Sequence, residues 1–209
     1  MVTNKRNPDR TRDTILWAAF TEIHQNGFRS ASVDRILSTT GLTKGAMYHH
    51  FPNKAALGYA VVDEIIHGYI LETWLRPLDE CADPIKALIS QLHAPPTEMV
   101  QAICTHGCPL NNLAQEMSPI DEIFRRKVES VFDVWRSGLT ARLRRGQAAG
   151  YVGVDVDCEQ AATFVVATVE GANSLAKNSR DQGVLELCAD AMTIYLNALR
   201  PATKTAQTA

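Results

Sequence analysis

The segment from Ser32 to Lys54, SVDRILSTTGLTKGAMYHHFPNK, decides the fold of this chain. Ser32 is a favourable N-cap for a short helix, and Gly41 ends that helix in the left-handed conformation that glycine adopts easily. A second helix runs from Thr43 to about His50 and ends before Pro52, because the residue before a proline is pushed out of helical geometry. Two short helices joined at a glycine predict a helix-turn-helix unit.

The residues before this segment supply a further helix. Leu16, Ala19, Phe20 and Ile23 recur at the spacing of one helical face, and Gly27 provides a stop. Residues 1–53 are therefore predicted to form a three-helix helix-turn-helix domain at the N-terminus.

Helical periodicity continues through residues 54–200, and no segment shows the strict alternation of a strand. Asn53 is predicted to cap the next helix. The later helices are predicted at Asp83–His93, Thr97–Thr105, Pro109–Glu116, from Pro119 onwards, Cys158–Asn178 and Asp181–Leu199. We predict an all-α fold with a helical ligand-binding and dimerisation bundle over residues 54–200 and a disordered tail over residues 201–209.

Charge and cysteine content narrow the class of protein. The net charge of the 209 residues is −2, but residues 1–58 carry eight Lys and Arg against four Asp and Glu, which leaves −6 for the remainder. A basic N-terminal region suits a polyanionic partner. An odd number of cysteines, five, and no apolar run long enough for a signal peptide or a membrane span predict a cytoplasmic protein.

The second helix of the unit carries side chains that suit DNA. A hydroxyl and free backbone N–H groups at Thr43 can meet a phosphate, and Lys44 lies in the first turn. Gly45 is small enough to let the helix approach the groove closely, and Tyr48 and His49 lie one turn further on. Lys54 at the start of the next helix can hold the flanking backbone of the DNA together with Ser32.

The stretch from Phe28 to Leu57 resembles the N-terminal domain of the TetR-like family of transcriptional regulators. The resemblance rests on G-x-x-x-G-A-x-Y-x-H-F-x-x-K from Gly41 to Lys54, and it weakens to a general helical plan beyond residue 60. The stretches Gly107–Ser118 and Glu170–Asp181 also resemble one branch of that family. By motif position, the resemblance implies DNA contacts at Ser32, Thr43, Lys44, Gly45, Tyr48, His49 and Lys54, with His50 contacting phosphate or bracing Phe51.

The same resemblance implies an Ω-shaped homodimer whose DNA-binding domains enter successive major grooves of a palindromic operator. A small effector bound in the body is expected to change the separation of those domains, most simply through the helix after Asn53. The interface is predicted on the last two helices, with two apolar stripes: Ala161, Val165, Thr168, Ala172 and Leu175 on one, and Leu185, Cys188, Ala189, Met192 and Leu199 on the other.

The effector pocket is the least defined part of the prediction. Its candidate residues are Tyr69, Trp74, Cys104, Cys108, Phe124, Val128 and Trp135, with Met99, Met117, Phe132 and Phe164 as further soft or aromatic side chains. Each of them also fits a closed core. No cluster of acids or bases specifies the charge of the effector.

The segment Cys104-Thr-His106-Gly-Cys108 leaves three interpretations open. The thiols are inert core groups, or they sense oxidants and electrophiles, or they bind a metal. The metal interpretation is the weakest because the spacing matches no common zinc pattern. No metal or cofactor is expected, and Gly107 and Pro109 can break the helix that would place both thiols on one face.

Two other classes of protein compete with the regulator. An enzyme would need an orienting group beside a Cys108/His106 pair, or a glycine-rich phosphate loop, and neither is visible. A helical adaptor protein would bind partners without the steep salt dependence of DNA binding. The sequence therefore predicts a repressor released from a palindromic operator by a small-molecule effector, with thiol-reactive compounds among the candidates.

Overall fold

The computed structural model describes residues 8–202. The predicted disordered tail at 201–209 therefore lies mostly outside the described residues, as do Lys5 and Arg6 of the basic N-terminal region. Every regular element over residues 8–202 is helical, which confirms the predicted all-α class.

The helices follow one another in a simple order. Four of them form the N-terminal part: α1 (Pro8–Asn26), α2 (Val33–Ser38), α3 (Lys44–His50) and α4 (Lys54–Ala60). They are followed by a π-helical stretch (Val61–Ile66), α5 (His67–Ile70), a second π-helical stretch (Leu71–Leu75) and α6 (Arg76–Asp79). The remaining helices are α7 (Pro84–His93), α8 (Thr97–His106), α9 (Pro109–Met117), α10 (Glu122–Ala148), α11 (Cys158–Ser179) and α12 (Gly183–Ala198).

Local capping explains most helix boundaries. Gly27 and Gly41 have φ values of +78° and +66°, so the predicted left-handed stops are confirmed. The Thr43 hydroxyl accepts the Ala46 N–H at 3.2 Å, and the Asn53 side chain accepts the Ala56 N–H at 2.8 Å. Ser32 holds the N-cap position of α2, but its side chain makes no capping hydrogen bond.

Two helices begin later than predicted, for the same physical reason. Asp121 accepts the N–H groups of Ile123 and Phe124, at 2.9 and 3.0 Å, so α10 begins after this cap and not at Pro119. Asp181 accepts the Gly183 N–H at 2.8 Å, which places the start of α12 after it. An aspartate side chain that accepts from the first N–H groups fixes where a helix begins.

The described chain forms two compact units. The first contains the residues up to Tyr69 together with Pro109–Val131, and the second contains Ile70–Cys108 and the residues from Phe132 onwards. The domain boundary between residues 53 and 54 stays a prediction. In the structure, α9 and the start of α10, which were predicted as part of the body, belong to the first compact unit.

The core of the first unit is closed by aromatic contacts. The ring of Phe124 lies edge-on against Phe28 and Tyr59, with centroid distances of 4.6 and 4.8 Å. Gly58 lies between Phe28 and Phe124, where a Cβ atom would come within 2.7 Å of both rings. These contacts hold α4 and α10 against the turn that follows α1.

The second unit is built around α11. Its Ala162, Val165 and Val169 are buried, and it packs against α8 and α12. The Trp74 and Trp135 rings lie 5.0 Å apart, and Leu75 fills the space above Gly138. This packing leaves a cavity among α7, α8, α11 and α12, which is described below.

Candidate nucleic-acid interface and effector cavity

Helix α3 presents one face to solvent. Met47 is fully buried and anchors the helix, whereas Thr43, Lys44, Gly45, Tyr48 and His49 are exposed. Their spacing along a helix of 3.6 residues per turn places the last four on one side. The structure therefore brings together five of the seven predicted DNA contacts.

The charge at the start of α3 is balanced within the unit. The Lys44 Nζ lies 2.7 Å from Asp34 Oδ1, and both side chains are exposed. The hydrogen bond to Asp34 raises the pKa of Lys44. Lys44 is therefore a cation at neutral pH, and it can exchange a weak surface ion pair for a phosphate.

The other two predicted contacts, Ser32 and Lys54, have partners within the unit. The Ser32 N–H donates to Glu22 Oε1 at 3.2 Å. The Lys54 ammonium donates to the Arg29 carbonyl at 3.1 Å and lies 4.8 Å from the centre of the Phe28 ring. Burial lowers the pKa of Lys54. These contacts give Lys54 a structural role in holding the turn between α1 and α2.

Sequence reasoning missed two acids that hold the unit in shape. Glu22 is buried, and its carboxylate accepts from Arg35 Nε at 2.6 Å as well as from the Ser32 N–H. Glu116 in α9 accepts the N–H groups of Phe28 and Arg29, at 2.7 and 2.8 Å. The only signal for Glu22 was its place one residue before Ile23 on the buried side of α1, and Glu116 gave none.

A cavity of about 70 Å³ lies in the second unit. Its walls are mostly apolar and are formed by α7, α8, α11 and α12, with Trp74 from the second π-helical stretch. The lining residues are Trp74, Gln91, Leu92, Pro95, Met99, Val100, Ile103, Thr168, Val169, Ala172, Asn173, Leu185, Cys188, Ala189 and Met192. Its apolar walls suit a small apolar effector.

Most of the predicted effector residues do not line this cavity, and their part in effector binding stays a prediction. Phe124 and Val128 belong to the first unit and are buried in its core, and Tyr69 also belongs to that unit. Trp135 is fully buried against Trp74. Trp74 is therefore the one residue of the predicted set that reaches the cavity, and Met99 joins it from the wider group of soft side chains.

Cys104 and Cys108 also lie outside the cavity lining. Cys104 is in the last turn of α8, whereas Cys108 follows Gly107, whose φ of +79° ends that helix. The two thiols therefore do not share a helical face. Burial raises the pKa of Cys104, which reduces its thiolate fraction at neutral pH. The thiol-sensor interpretation stays a prediction, and these contacts do not favour it.

Residues 8–202 contain no group of three or more His, Cys, Asp or Glu side chains placed to hold a metal ion.

One acid of the second unit, Glu170, is buried, and within residues 8–202 neither of its carboxyl oxygens has a partner at hydrogen-bonding geometry. Burial raises its pKa to about 7, while the nearby Cys108 thiol acts in the opposite direction. Glu170 is therefore a buried acid for which burial outweighs the contribution of the Cys108 thiol.

The two predicted dimer stripes are largely internal, which corrects that prediction. Ala161, Val165 and Ala172 are buried within the chain, and so are Ala189, Met192 and Leu199. The reason is that α11 and α12 pack against each other and line the cavity with their most regular apolar faces. Of the two stripes, Leu175 is an exposed large side chain.

A different apolar face of α11 and α12 is exposed. It carries Phe164, Gly171 and Leu175 from α11 and Leu187 and Ile194 from α12, and we call it the α11/α12 face. The Phe164 ring lies 4.5 Å from the ring of Tyr195, which joins the two helices at this face.

None of the helices described over residues 8–202 is both long and apolar enough to cross a bilayer.

Comparison with known proteins assigns both parts of the chain. Residues 15–61 match the bacterial regulatory proteins of the tetR family, and residues 85–192 match the tetracyclin repressor-like C-terminal domain. The HTH-type transcriptional repressor DhaR of Mycobacterium sp. (strain GP1) is 24% identical, over 86% of this chain and 87% of that protein. An HTH-type regulator from the lacX 3' region of Lactococcus lactis is 30% identical, over 88% of this chain and 91% of that protein.

Solved structures give the same assignment. A TetR-family regulator from Cytophaga hutchinsonii superposes with a TM-score of 0.84 at 22% identity, covering 94% of this chain and 98% of its own. A TetR regulator from Chloroflexus aurantiacus superposes with a TM-score of 0.79 at 26% identity, covering 91% and 96%. The fold, the exposed face of α3 and these matches lead to one conclusion: the chain belongs to the tetR family of bacterial regulatory proteins and is a helix-turn-helix DNA-binding transcriptional regulator.

Proposed function

We propose that this chain is a homodimeric repressor that binds a palindromic operator through α3 and leaves it when a small molecule occupies the cavity of the second unit. The observation that carries the proposal is the exposed face of α3. The repressor assignment follows the name of the relative DhaR. A regulator that acts on chromosomal DNA works in the cytoplasm.

The exposed side chains of α3 suit the major groove. Tyr48 and His49 offer hydrogen-bond donors one turn beyond Lys44, and Gly45 adds no side chain that would keep the helix from the groove floor. Lys44 is a cation on this face, and its exposed ion pair with Asp34 contributes little stability, so a phosphate can replace Asp34. We therefore assign phosphate or base contact to Lys44 and Tyr48 first, with Thr43, Gly45 and His49 beside them.

Specific binding through one such helix needs a second copy. A single α3 makes few contacts, whereas a two-fold dimer reads two half-sites about one turn of DNA apart. The α11/α12 face is a suitable interface because large apolar side chains surround Gly171, next to which a partner helix can approach closely.

Effector binding is linked to operator binding by differential affinity. A ligand that fits the cavity better in the DNA-free conformation lowers the affinity for the operator, and the operator lowers the affinity for the ligand by the same factor. The cavity walls include α11 and α12, and these two helices also carry the α11/α12 face. A ligand in the cavity therefore contacts the helices that form the proposed dimer.

The decisive experiment is a selection of genomic DNA fragments by the purified protein at about 50 mM salt. We expect enrichment of a palindrome, its loss in the double variant Lys44→Ala plus Tyr48→Ala, and its retention in Gln25→Ala, an exposed residue of α1 outside the proposed site. Absence of enrichment, or an unchanged palindrome in the double variant, contradicts the proposal.

Salt dependence gives a second readout of the same variants. Phosphate contacts release counterions, so the affinity for the selected site falls steeply between about 50 and 200 mM salt. Lys44→Ala alone should reduce the slope of log affinity against log salt by about one per protomer, because one phosphate contact is lost. Gln25→Ala should leave the slope unchanged.

A further inference from the structure

The cavity of the second unit has a larger neighbour. A hollow of about 240 Å³ shares Leu92, Pro95, Val100, Leu185 and Ala189 with it, and we call these five residues the neck. At about 70 Å³ the cavity itself is about half the volume of engineered cavities that enclose benzene. A ligand as large as benzene therefore extends through the neck into the hollow.

The cavity and the hollow differ in polarity. No residue that lines the cavity in the described chain is Asp, Glu, Lys, Arg or His. Besides the neck, the hollow is lined by exposed polar residues: His93, Thr97, Gln182 and Glu186. A charged group in the cavity would lose its hydration without meeting an opposite charge, whereas in the hollow it keeps contact with water. The site therefore suits a ligand with an apolar end in the cavity and a polar end in the hollow.

The charge that lines the hollow is negative. Glu186 supplies a carboxylate, and none of the described residues that line the hollow is Lys or Arg. The Glu186 carboxylate accepts from the Gln182 amide at 3.1 Å, and an uncharged donor does not neutralise it. The Nε2 atom of His93 lies 2.8 Å from the hydroxyl of Thr193, which is not a lining residue. The hollow therefore favours a cation over an anion.

We propose that the effector is an amphipathic cation, with an apolar part that enters the cavity and a positively charged group that lies in the hollow beside Glu186. This inference rests on the proposed function in taking the cavity as the effector site. It adds the chemical class of the effector and the residue that selects its charge.

Glu186 also has a structural role that the test has to separate from ligand selection. It lies in the first turn of α12, where a negative charge stabilises the N-terminus of a helix. A role in the helix alone would change the stability of the protein. It would give no preference between ligands of opposite charge.

The test compares three ligands that carry the same octyl chain: octylammonium, octanoate and the uncharged 1-octanol. Dissociation constants are measured by calorimetric titration of the full chain without DNA, at ligand concentrations too low for micelles. We expect octylammonium to bind more tightly than octanoate. In Glu186→Gln this ratio should fall by about threefold to fivefold, the value of one exposed ion pair, while 1-octanol binds as before.

Two further measurements support the assignment. Raising the salt from about 50 to 500 mM should reduce the ratio in the unchanged protein, because salt screens exposed charges. Glu159→Gln makes the same chemical change at an exposed residue of α11 that lines neither the cavity nor the hollow, so it should leave the ratio unchanged.

A variant of the neck tests the site itself. Val100 is half-buried and lines both the cavity and the hollow, so the larger side chain in Val100→Phe should obstruct the neck and weaken the binding of all three ligands. If this variant does not fold, as judged by circular dichroism, Leu185→Phe replaces it at another residue of the neck.

The outcomes separate this inference from the proposed function. An equal ratio in the unchanged protein and in Glu186→Gln overturns the role of Glu186, and octanoate that binds as tightly as octylammonium overturns the assigned charge. Absence of binding by all three ligands, or binding that the neck variant leaves unchanged, overturns the site. These results leave operator binding untouched, because no DNA is present. Failure of the operator selection likewise leaves the ligand ratio unaffected.

Discussion

The carboxylate of Glu116 holds the backbone of Phe28, whose N–H it accepts at 2.7 Å, and its second oxygen accepts the Arg29 N–H at 2.8 Å. These N–H groups belong to the turn that follows Gly27 and leads into α2. On the other side of the turn, Lys54 donates to the Arg29 carbonyl. Helix α9 and the start of α4 therefore fix the turn from which the helix-turn-helix begins.

Removal of the Glu116 carboxylate should loosen this turn. Glu116→Ala leaves two backbone donors without a charged acceptor, and we expect a loss of about 2 kcal/mol in the free energy of unfolding. The measurement is urea unfolding combined with hydrogen exchange of the Phe28 and Arg29 amides, which should become faster. Gln115→Ala, an exposed neighbour on α9, serves as the control. Unchanged exchange at both amides would contradict the assigned role.

What the sequence could predict was local. The left-handed Gly27, the cap at Asn53 and the stop before Pro52 each depend on a few neighbouring residues, and the structure confirms the glycine and the Asn53 cap. Glu116 and Phe28 are 88 positions apart, so no periodicity connects them. Such contacts arise only when the helices have packed.

The effector cavity shows the same limit. Aromatic residues at helical spacing are equally suited to a core and to a pocket, and Phe124 went to the core because Phe28 and Tyr59 pack against it. The regular apolar stripes on α11 and α12 predict an interface, but such a stripe is equally typical of a helix that packs against other helices of its own chain. Helix α3 was predictable because its bounds and its exposed face depend on one short segment of the sequence.

Substitutions at Gly58 and Gly68, which lie in one continuous run of helical residues, test the packing of the first unit. In Gly58→Ala, the new methyl group would lie 2.5 Å from the Phe28 ring and 2.7 Å from the Phe124 ring, and we expect a loss of about 1–3 kcal/mol from overpacking. Gly68 has no neighbouring atom within 4 Å of the same position, so Gly68→Ala should gain about 0.5–1 kcal/mol from helix propensity. Thermal or urea unfolding reports both. A gain of stability in Gly58→Ala as well would show that the close approach at Gly58 is absent in solution.

The buried Glu170 should make stability depend on pH. Burial raises its pKa from 4.5 to about 7, so the folded chain binds a proton that the unfolded chain releases between these values. Stability therefore falls as pH rises through this window, and the loss is complete above about pH 7. Glu170→Gln removes the ionisable group, and its stabilising effect should be larger at pH 8 than at pH 4.5 by up to about 3 kcal/mol.

Urea unfolding of both proteins at the two pH values measures this difference. Thr163→Ala changes an exposed side chain without an ionisable group on the same helix and should have the same effect at both pH values. A Glu170→Gln effect that is the same at pH 4.5 and pH 8 would mean that the carboxyl is hydrated in the folded protein.

The α11/α12 face should carry the dimer. Ile194 and Leu187 are 74% and 71% exposed in the single chain, and they lie two turns apart on the same side of α12. An acid placed there would be buried in the dimer without a partner, which strongly opposes association. We expect Ile194→Glu to raise the dimer dissociation constant at least a hundredfold and to reduce operator affinity with it, because a monomer contacts one half-site.

Analytical ultracentrifugation over a range of protein concentrations measures the dissociation constant, and gel-shift titration with the selected operator measures the DNA affinity. Val154→Glu introduces the same acid at a position that is 90% exposed and lies outside α11 and α12, so it should leave both quantities unchanged. Met192→Glu, on the buried stripe, should unfold the second unit, since a charge there meets only the apolar cavity wall. A dimer that persists in Ile194→Glu would place the interface elsewhere on the chain, because an unpaired carboxylate is not tolerated at the centre of an apolar helix contact.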